Sequence, residues 1–296
     1  MKKHTWIPLC CLSIFISCLN EDSDDNVDLG APSIKAMEGT SGIQPSYFFT
    51  TSPENPNIPI AFSIEDPSGI KEIKIESHSG FDGHTHGKSV QNDGQKFKLF
   101  SLNEVMDAET FEDQTRITYS SEVFADHRNP EIADDELIIA GPYHFSIQAT
   151  DVEGNQTTYA DNTTYHTTVY IHRPYAPQVE LSEIRTSGGS ISGRIYRNNE
   201  HPANSNLSFL WIYIEDPDEN NPDQEGIVLK EKIFGKSNWP HQFRPNSGED
   251  LPNVDEIQLE TLFEDDSDFF NNLTGNRLVI WAEDTNGNIS VHQFNN

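Results

Sequence analysis

Histidine is the residue type in this chain best suited to carry chemistry. His84 and His86 stand in Gly80-Phe81-Asp82-Gly83-His84-Thr85-His86-Gly87, where glycines on both sides favour a tight loop. Two residues apart in an extended segment, their imidazoles project to the same side. His127, in Phe124-Ala125-Asp126-His127-Arg128, and His144, in Gly141-Pro142-Tyr143-His144-Phe145, add two more. His144 lies opposite Tyr143, Phe145 and Ile147 in a two-residue period, so its ring faces outward if those face a core, and His78 stands the same way against Ile73 and Ile75. Imidazole nitrogens suit zinc, copper or nickel, with His84, His86, His127 and His144 as ligands and Asp82 or Asp126 as an oxygen ligand or as acceptor for an imidazole N–H. A metal held with an open coordination position could activate water, which makes a metal-dependent hydrolase one reading. In the other, His84 and His86 decorate a surface loop while His127 and His144 hydrogen-bond to neighbouring loops.

Calcium has weaker support. The segment Asp216-Pro217-Asp218-Glu219-Asn220 places oxygen side chains at alternate positions, but Asn221 stands where a calcium loop needs glycine and Ile227 where it needs a closing glutamate. Trp239, in the polar loop Lys236-Ser237-Asn238-Trp239-Pro240-His241, is a candidate platform for a sugar or a protein partner, or else caps the edge of the fold. Trp211 and Trp281 sit in apolar runs and read as core. The sequence contains no nucleophile elbow, zinc-protease helix motif, phosphate loop or dinucleotide fingerprint.

The elements that must position these residues are strands. Ile60, Phe62 and Ile64 alternate with polar or small residues, as do Ile73 and Ile75, Phe97 and Leu99, and Tyr143, Phe145, Ile147 and Ala149, and Thr163 to Ile171 supplies a closing strand. The plan then begins again. Ala31-Pro32-Ser33-Ile34 is echoed by Ala176-Pro177-Gln178-Val179, and Asp151-Val152-Glu153-Gly154-Asn155 by Asp284-Thr285-Asn286-Gly287-Asn288. In that shared element Asp accepts backbone N–H bonds while Gly and Asn tolerate the dihedrals of a reversal. The fold class is therefore all-β, as tandem immunoglobulin-like or cadherin-like β-sandwiches, over residues 42–173, which carry the histidine cluster, and 174–296. Residues 18–41 form an acidic spacer.

The first half resembles Bacteroidetes lipoproteins of the uncharacterised family DUF4625 in four separated motifs that occur in order. They are Asp66 to Ile75, Phe81 to Gly87, His127 to Ile132 and Gly141 to Asn155, within residues 29–173. The resemblance implies an immunoglobulin-like fold and leaves activity open. The second half carries none of this histidine set, because His201, His241 and His292 occupy unrelated contexts.

Export is written at the start. Lys2 and Lys3 precede an apolar stretch, Trp6 to Ile16, too short to cross a bilayer, and Ser17-Cys18 follows, so residues 1–17 read as a signal peptide and Cys18 as a lipidation site. Glu21, Asp22, Asp24 and Asp25 behind the cysteine resemble the address that sends such lipoproteins to the outer face of the outer membrane. All three cysteines, Cys10, Cys11 and Cys18, lie in this segment, which leaves no disulfide in the folded part. With 48 acidic against 19 basic residues and a formal charge of -29, the chain repels a phosphate backbone, so nucleic acid is excluded as a partner. The expected partners are outer-membrane lipid through acylated Cys18 and a surface protein or glycan. The leading expectation is a non-catalytic binding or accessory module, with the metal-dependent hydrolase and an outer-surface glycan-binding subunit as its rivals.

Overall fold

The computed structural model describes residues 30–37, 49–81, 90–92, 95–158, 160, 163–185, 190–217 and 226–295. The signal segment with Cys18, the acidic spacer up to residue 29, Asp82, His84, His86 and the calcium-like stretch from Asp218 lie outside the described residues.

The chain is all-β. In the first half β1 (Ser33–Ala36), β3 (Asn57–Glu65) and β8 (Arg116–Phe124) form one sheet. It faces a second sheet in the order β2 (Phe49–Thr50), β11 (Tyr165–Ile171), β10 (Gly141–Asp151), β4 (Ile70–Ser79) and β7 (Leu102–Asp107). A small third sheet, β5 (Val90–Asn92), β6 (Gln95–Lys98) and β9 (Glu136–Ile138), is inserted between these strands. The expected alternation is realised: Ile60, Phe62, Ile64, Ile73, Ile75, Tyr143, Phe145, Ile147 and Ala149 are all buried.

Tyr143 shows how the local sequence fixes this fold. It stands at the start of β10, its ring is fully buried, and its hydroxyl donates to the Ile139 carbonyl at 2.7 Å, four residues upstream. The same oxygen accepts the Phe100 N–H at 3.3 Å. This is the tyrosine corner of immunoglobulin-like sandwiches, and it pins the crossing between sheets.

In the second half β12 (Gln178–Arg185), β13 (Ser190–Tyr196) and β16 (Glu256–Gln258) face a sheet ordered β15 (Ile227–Gly235), β14 (Leu207–Asp216), β17 (Arg277–Asp284) and β18 (Ile289–Asn295). Leu210, Ile212, Ile214, Leu278, Ile280 and Ala282 fill the space between these two sheets. Phe263, Phe269 and Phe270 join them, so Phe269 and Phe270 anchor the acidic run Glu264-Asp265-Asp266-Ser267-Asp268 to the core.

The two Asp-x-x-Gly-Asn elements fold alike. Asp151 accepts the Asn155 backbone N–H at 2.7 Å, and Asp284 accepts that of Asn288 at 2.8 Å. Gly154 and Gly287 carry positive φ of 96° and 86° in the matching places. Their surroundings differ: a methyl group on Gly154 would meet nothing within 4 Å, whereas one on Gly287 would lie 3.0 Å from the Trp239 ring.

That difference marks the joint between the halves. Phe209, Trp211 and Tyr213 of β14 point away from the second sandwich, as do Val279 and Trp281 of β17, and they belong to one apolar cluster that is continuous with the core of the first half. Both faces of β14 and β17 are therefore buried, which explains why these strands lack a polar face. Hydrogen bonds seal the seam. The Ile289 N–H donates to the Ala140 carbonyl at 2.8 Å, and the Ala140 N–H to Asn288 Oδ1 at 3.1 Å. His172, at the end of β11, donates from Nε2 to the Val291 carbonyl at 3.1 Å, and its ring lies 4.8 Å from that of His292.

Candidate functional site

Strand pairing brings His78 and His144 together. The antiparallel register of β4 and β10 sets these residues directly opposite each other, and Thr168 of β11 flanks His144 on its other side. All three share the outer face of the five-stranded sheet, because opposed residues of an antiparallel pair project to one side. The imidazole centroids are 5.6 Å apart with the rings inclined at 54°. His144 is exposed between buried Tyr143 and Phe145, as its alternation requires. Its Nδ1 lies 3.4 Å from Thr168 Oγ1, and its Nε2 end leans over Gly80, where a Cβ atom would come within 2.7 Å. Glycine at position 80 thus lets the ring lie across β4. Glu76, on the same face, pairs with Lys74 and accepts from the Ser146 hydroxyl at 3.3 Å. Burial opposes its charge, but Lys74, Ser146 and the neighbouring His78 hold its carboxyl below the usual range.

The other histidine of the expected set lies elsewhere. His127 is exposed in the turn that follows β8, in the sheet opposite His144. Asp126 is taken up by Arg128, whose guanidinium reaches its carboxylate at 2.9 and 2.7 Å. Burial works against that carboxylate's charge, and the Arg128 hydrogen bonds outweigh it to keep the pKa low. Among the described residues no group of three or more His, Cys, Asp or Glu side chains is gathered as a metal site. Alternation alone faces His78 outward and leaves it outside the expected ligand set, since its pairing with His144 depends on a register that only the folded sheet specifies.

Trp239 does not stand out as a platform. It is 7% exposed, its indole N–H donates to the Gly287 carbonyl at 2.8 Å, and its ring meets Phe81 of the first half edge-on at 4.9 Å. It is a wedge in the joint, so the alternative of capping the fold is the one its surroundings match. Around it lies a recess lined by Phe209, Trp211, Trp281, Arg244 and Glu283. Glu283 is fully buried, and burial raises its pKa. Its oxygens accept from the Ser237 hydroxyl at 2.9 Å, the Asn238 N–H at 2.9 Å and the Trp281 indole at 2.9 Å. Arg244 stacks over the Trp281 ring at 4.7 Å and donates to the Gly80 carbonyl at 2.8 Å. The carboxylate holds the 237–246 loop in place, and Arg244 ties that loop to the first sandwich. Nothing in the sequence distinguishes Glu283 from the other 47 acidic residues, because its role comes from burial.

Comparison with solved structures finds distant likenesses. The chain is similar to dimeric latent PorU from Porphyromonas gingivalis at 13% identity and a TM-score of 0.29, over 92% of this chain and 20% of that one, so it spans about a fifth of PorU. It is similar to the fibronectin(III)-like modules of Clostridium thermocellum CbhA at 10% identity and a TM-score of 0.21, over 88% of this chain and 90% of that one. It is also similar to a tetra-tandem repeat from the extending region of a large adhesion protein, at 12% identity and a TM-score of 0.25, over 90% of this chain and 48% of that one. None of the curated proteins matches it. The model of the family described as Domain of unknown function (DUF4625) matches residues 16–165, which span the first sandwich up to the start of β11, and the chain belongs to that family.

Proposed function

We propose that the chain is a surface lipoprotein of Bacteroidetes type, anchored through acylated Cys18 on the outer face of the outer membrane, and that it serves there as a non-catalytic binding or accessory module. The observation that carries this reading is the joint. Aromatic side chains that a free-standing sandwich would expose are spent on fixing one half against the other, with Trp239, Arg244 and Asn288 as the connecting side chains. A body held rigid in this way suits the presentation of a binding face at a set position above a membrane, where chemistry is not required of it. The order Lys2-Lys3, apolar run, Ser17-Cys18 supports the anchor, and the acidic residues after it support the outward address. Metabolic labelling with a lipid precursor tests the reading: the wild-type chain takes up label and is digested by protease added to intact cells, and Cys18→Ala abolishes the label. Label that persists in Cys18→Ala, or a chain protected from protease on intact cells, contradicts it.

A further inference from the structure

We propose that two copies of this chain join edge to edge through β8, so that the three-stranded sheets of their first sandwiches become one antiparallel sheet across a two-fold axis. β8 is the outer strand of its sheet and pairs with β3 along its whole length. The Thr115 carbonyl accepts the Asp66 N–H at 3.0 Å and the Ala125 N–H donates to the Pro56 carbonyl at 3.1 Å, so the odd-numbered residues turn their backbone groups toward β3. The even-numbered ones turn theirs outward. Pro59 of β3 agrees with this, since it lies opposite Glu122, where no N–H toward β8 is needed. The Arg116 N–H is held by the Asp113 carboxylate. Among the described residues no strand takes up the N–H and C=O groups of Thr118, Ser120 and Glu122, and all three residues are exposed. Such a row is a template for a further strand, and proteins that remain single blunt it with bulges, proline or lysine. β12 and β15, outer strands of similar length, carry register shifts. β8 holds one register over its 9 residues and contains neither proline nor lysine.

The order of residues along the strand selects a second copy as the occupant. An antiparallel partner must set outward backbone groups against outward ones, and an axis at Ser120 does so for the whole strand. Thr118 then faces Glu122 of the second copy, Ile117 faces Val123, and Tyr119 faces Ser121. Ile117 and Val123 are buried in their own sandwich, so their meeting carries one core on into the next. The charges on β8 are Arg116 and Glu122, of opposite sign, and in this register Arg116 faces Phe124 with Glu122 of the second copy on the diagonal. Like charges therefore never oppose each other. The edge is neutral in a chain of formal charge -29, so the repulsion left between two copies acts at long range, where salt screens it.

The test uses the chain from residue 18 onward with Cys18→Ser, which keeps every described residue and removes the thiol. Sedimentation and small-angle scattering from about 1 µM to about 1 mM, the order of concentration that tethering supplies, should show monomers passing into dimers. Ser120→Pro removes an outward donor that the fold does not use and should leave monomers throughout. Ser120→Lys, which changes only an exposed side chain, sets two ammonium groups opposite each other at the axis and should weaken the dimer about fivefold. Circular dichroism checks that both variants keep their β content, and Leu229→Lys on β15 should dimerise as the wild type does. Register has its own readout. Ser120→Cys places two thiols on residues about 5.5 Å apart, within disulfide reach, and should oxidise to a linked dimer, whereas Glu122→Cys places them about 14 Å apart and should not. A wild-type chain that remains monomeric at about 1 mM overturns the proposal. So does a dimer that survives Ser120→Pro unchanged, and so does equal cross-linking by Glu122→Cys and Ser120→Cys. None of these results bears on the anchor, which the label on Cys18 tests separately.

Discussion

Lowering the pH from 7 to 5 should weaken the joint between the sandwiches, through His172 and His292. Burial pushes His172 down to about 4, against a small opposing effect of its bond to Val291, and burial together with the neighbouring His172 pushes His292 down to about 3. Both values lie below the ordinary 6.5, so the unfolded chain binds these protons first. Their contribution to stability is complete above that ordinary value and is lost as the pH falls from there toward about 4 and about 3. At pH 5 each ring has given up roughly 1.5 pH units of linkage, or about 2 kcal/mol, and the pair about 4 kcal/mol. The joint contains groups of opposite sign. Burial raises Asp284 to about 6 and raises Glu283 as well, so these two carboxylates gain stability on acidification. A variant separates the effects: His172→Gln keeps a donor for the Val291 carbonyl, His292→Phe keeps a ring, and both proteins retain the carboxylates. Urea unfolding at pH 7 and pH 5 should show the wild type losing about 4 kcal/mol more than the double variant. Equal pH dependence in the two proteins, within about 1 kcal/mol, would refute the reasoning.

Other substitutions probe the same structure. Gly287→Ala and Gly154→Ala impose the same left-handed backbone penalty of about 1 kcal/mol, but only the former drives a methyl group against Trp239, so thermal melts should rank Gly287→Ala as clearly the less stable. Tyr143→Phe strands the buried Ile139 carbonyl and Phe100 N–H, and should cost about 1–3 kcal/mol in urea unfolding with no change in β content by circular dichroism. Residues 174–296 expressed alone should self-associate in light scattering, since Phe209, Trp211, Tyr213 and Trp281 would lose their cover; a monodisperse monomer would show that this face tolerates water.

Much of the fold was legible because period two is a local signal. Ile60-Phe62-Ile64 and Tyr143-Phe145-Ile147 announce half-buried strands, and the paired Asp-x-x-Gly-Asn elements announce the same turn twice, down to the carboxylate that accepts from the Asn N–H. The joint was not legible. In Phe209 to Ile214 every residue is apolar, which says that both faces are buried and says nothing of what buries them. The candidate site was half legible for a related reason. Alternation puts His78 and His144 on outward faces, but their adjacency depends on a register between strands far apart in sequence, and grouping by residue type alone draws in His127 from the turn after β8, a strand of the opposite sheet. The polar flanks of Trp239 leave platform and cap open in the sequence, because a proline-marked loop can fold back as readily as it can project, and the buried ring matches the cap.

Whether the two sandwiches behave as one body decides how much of this stands, and differential scanning calorimetry of the full chain measures it most directly. The continuous core and the bonds at Ala140 and His172 predict a single transition in which calorimetric and van't Hoff enthalpies agree. Two resolved transitions, with the first unaffected by Trp239→Ala or Arg244→Ala, would contradict a shared core and return the halves to independent modules on a common tether.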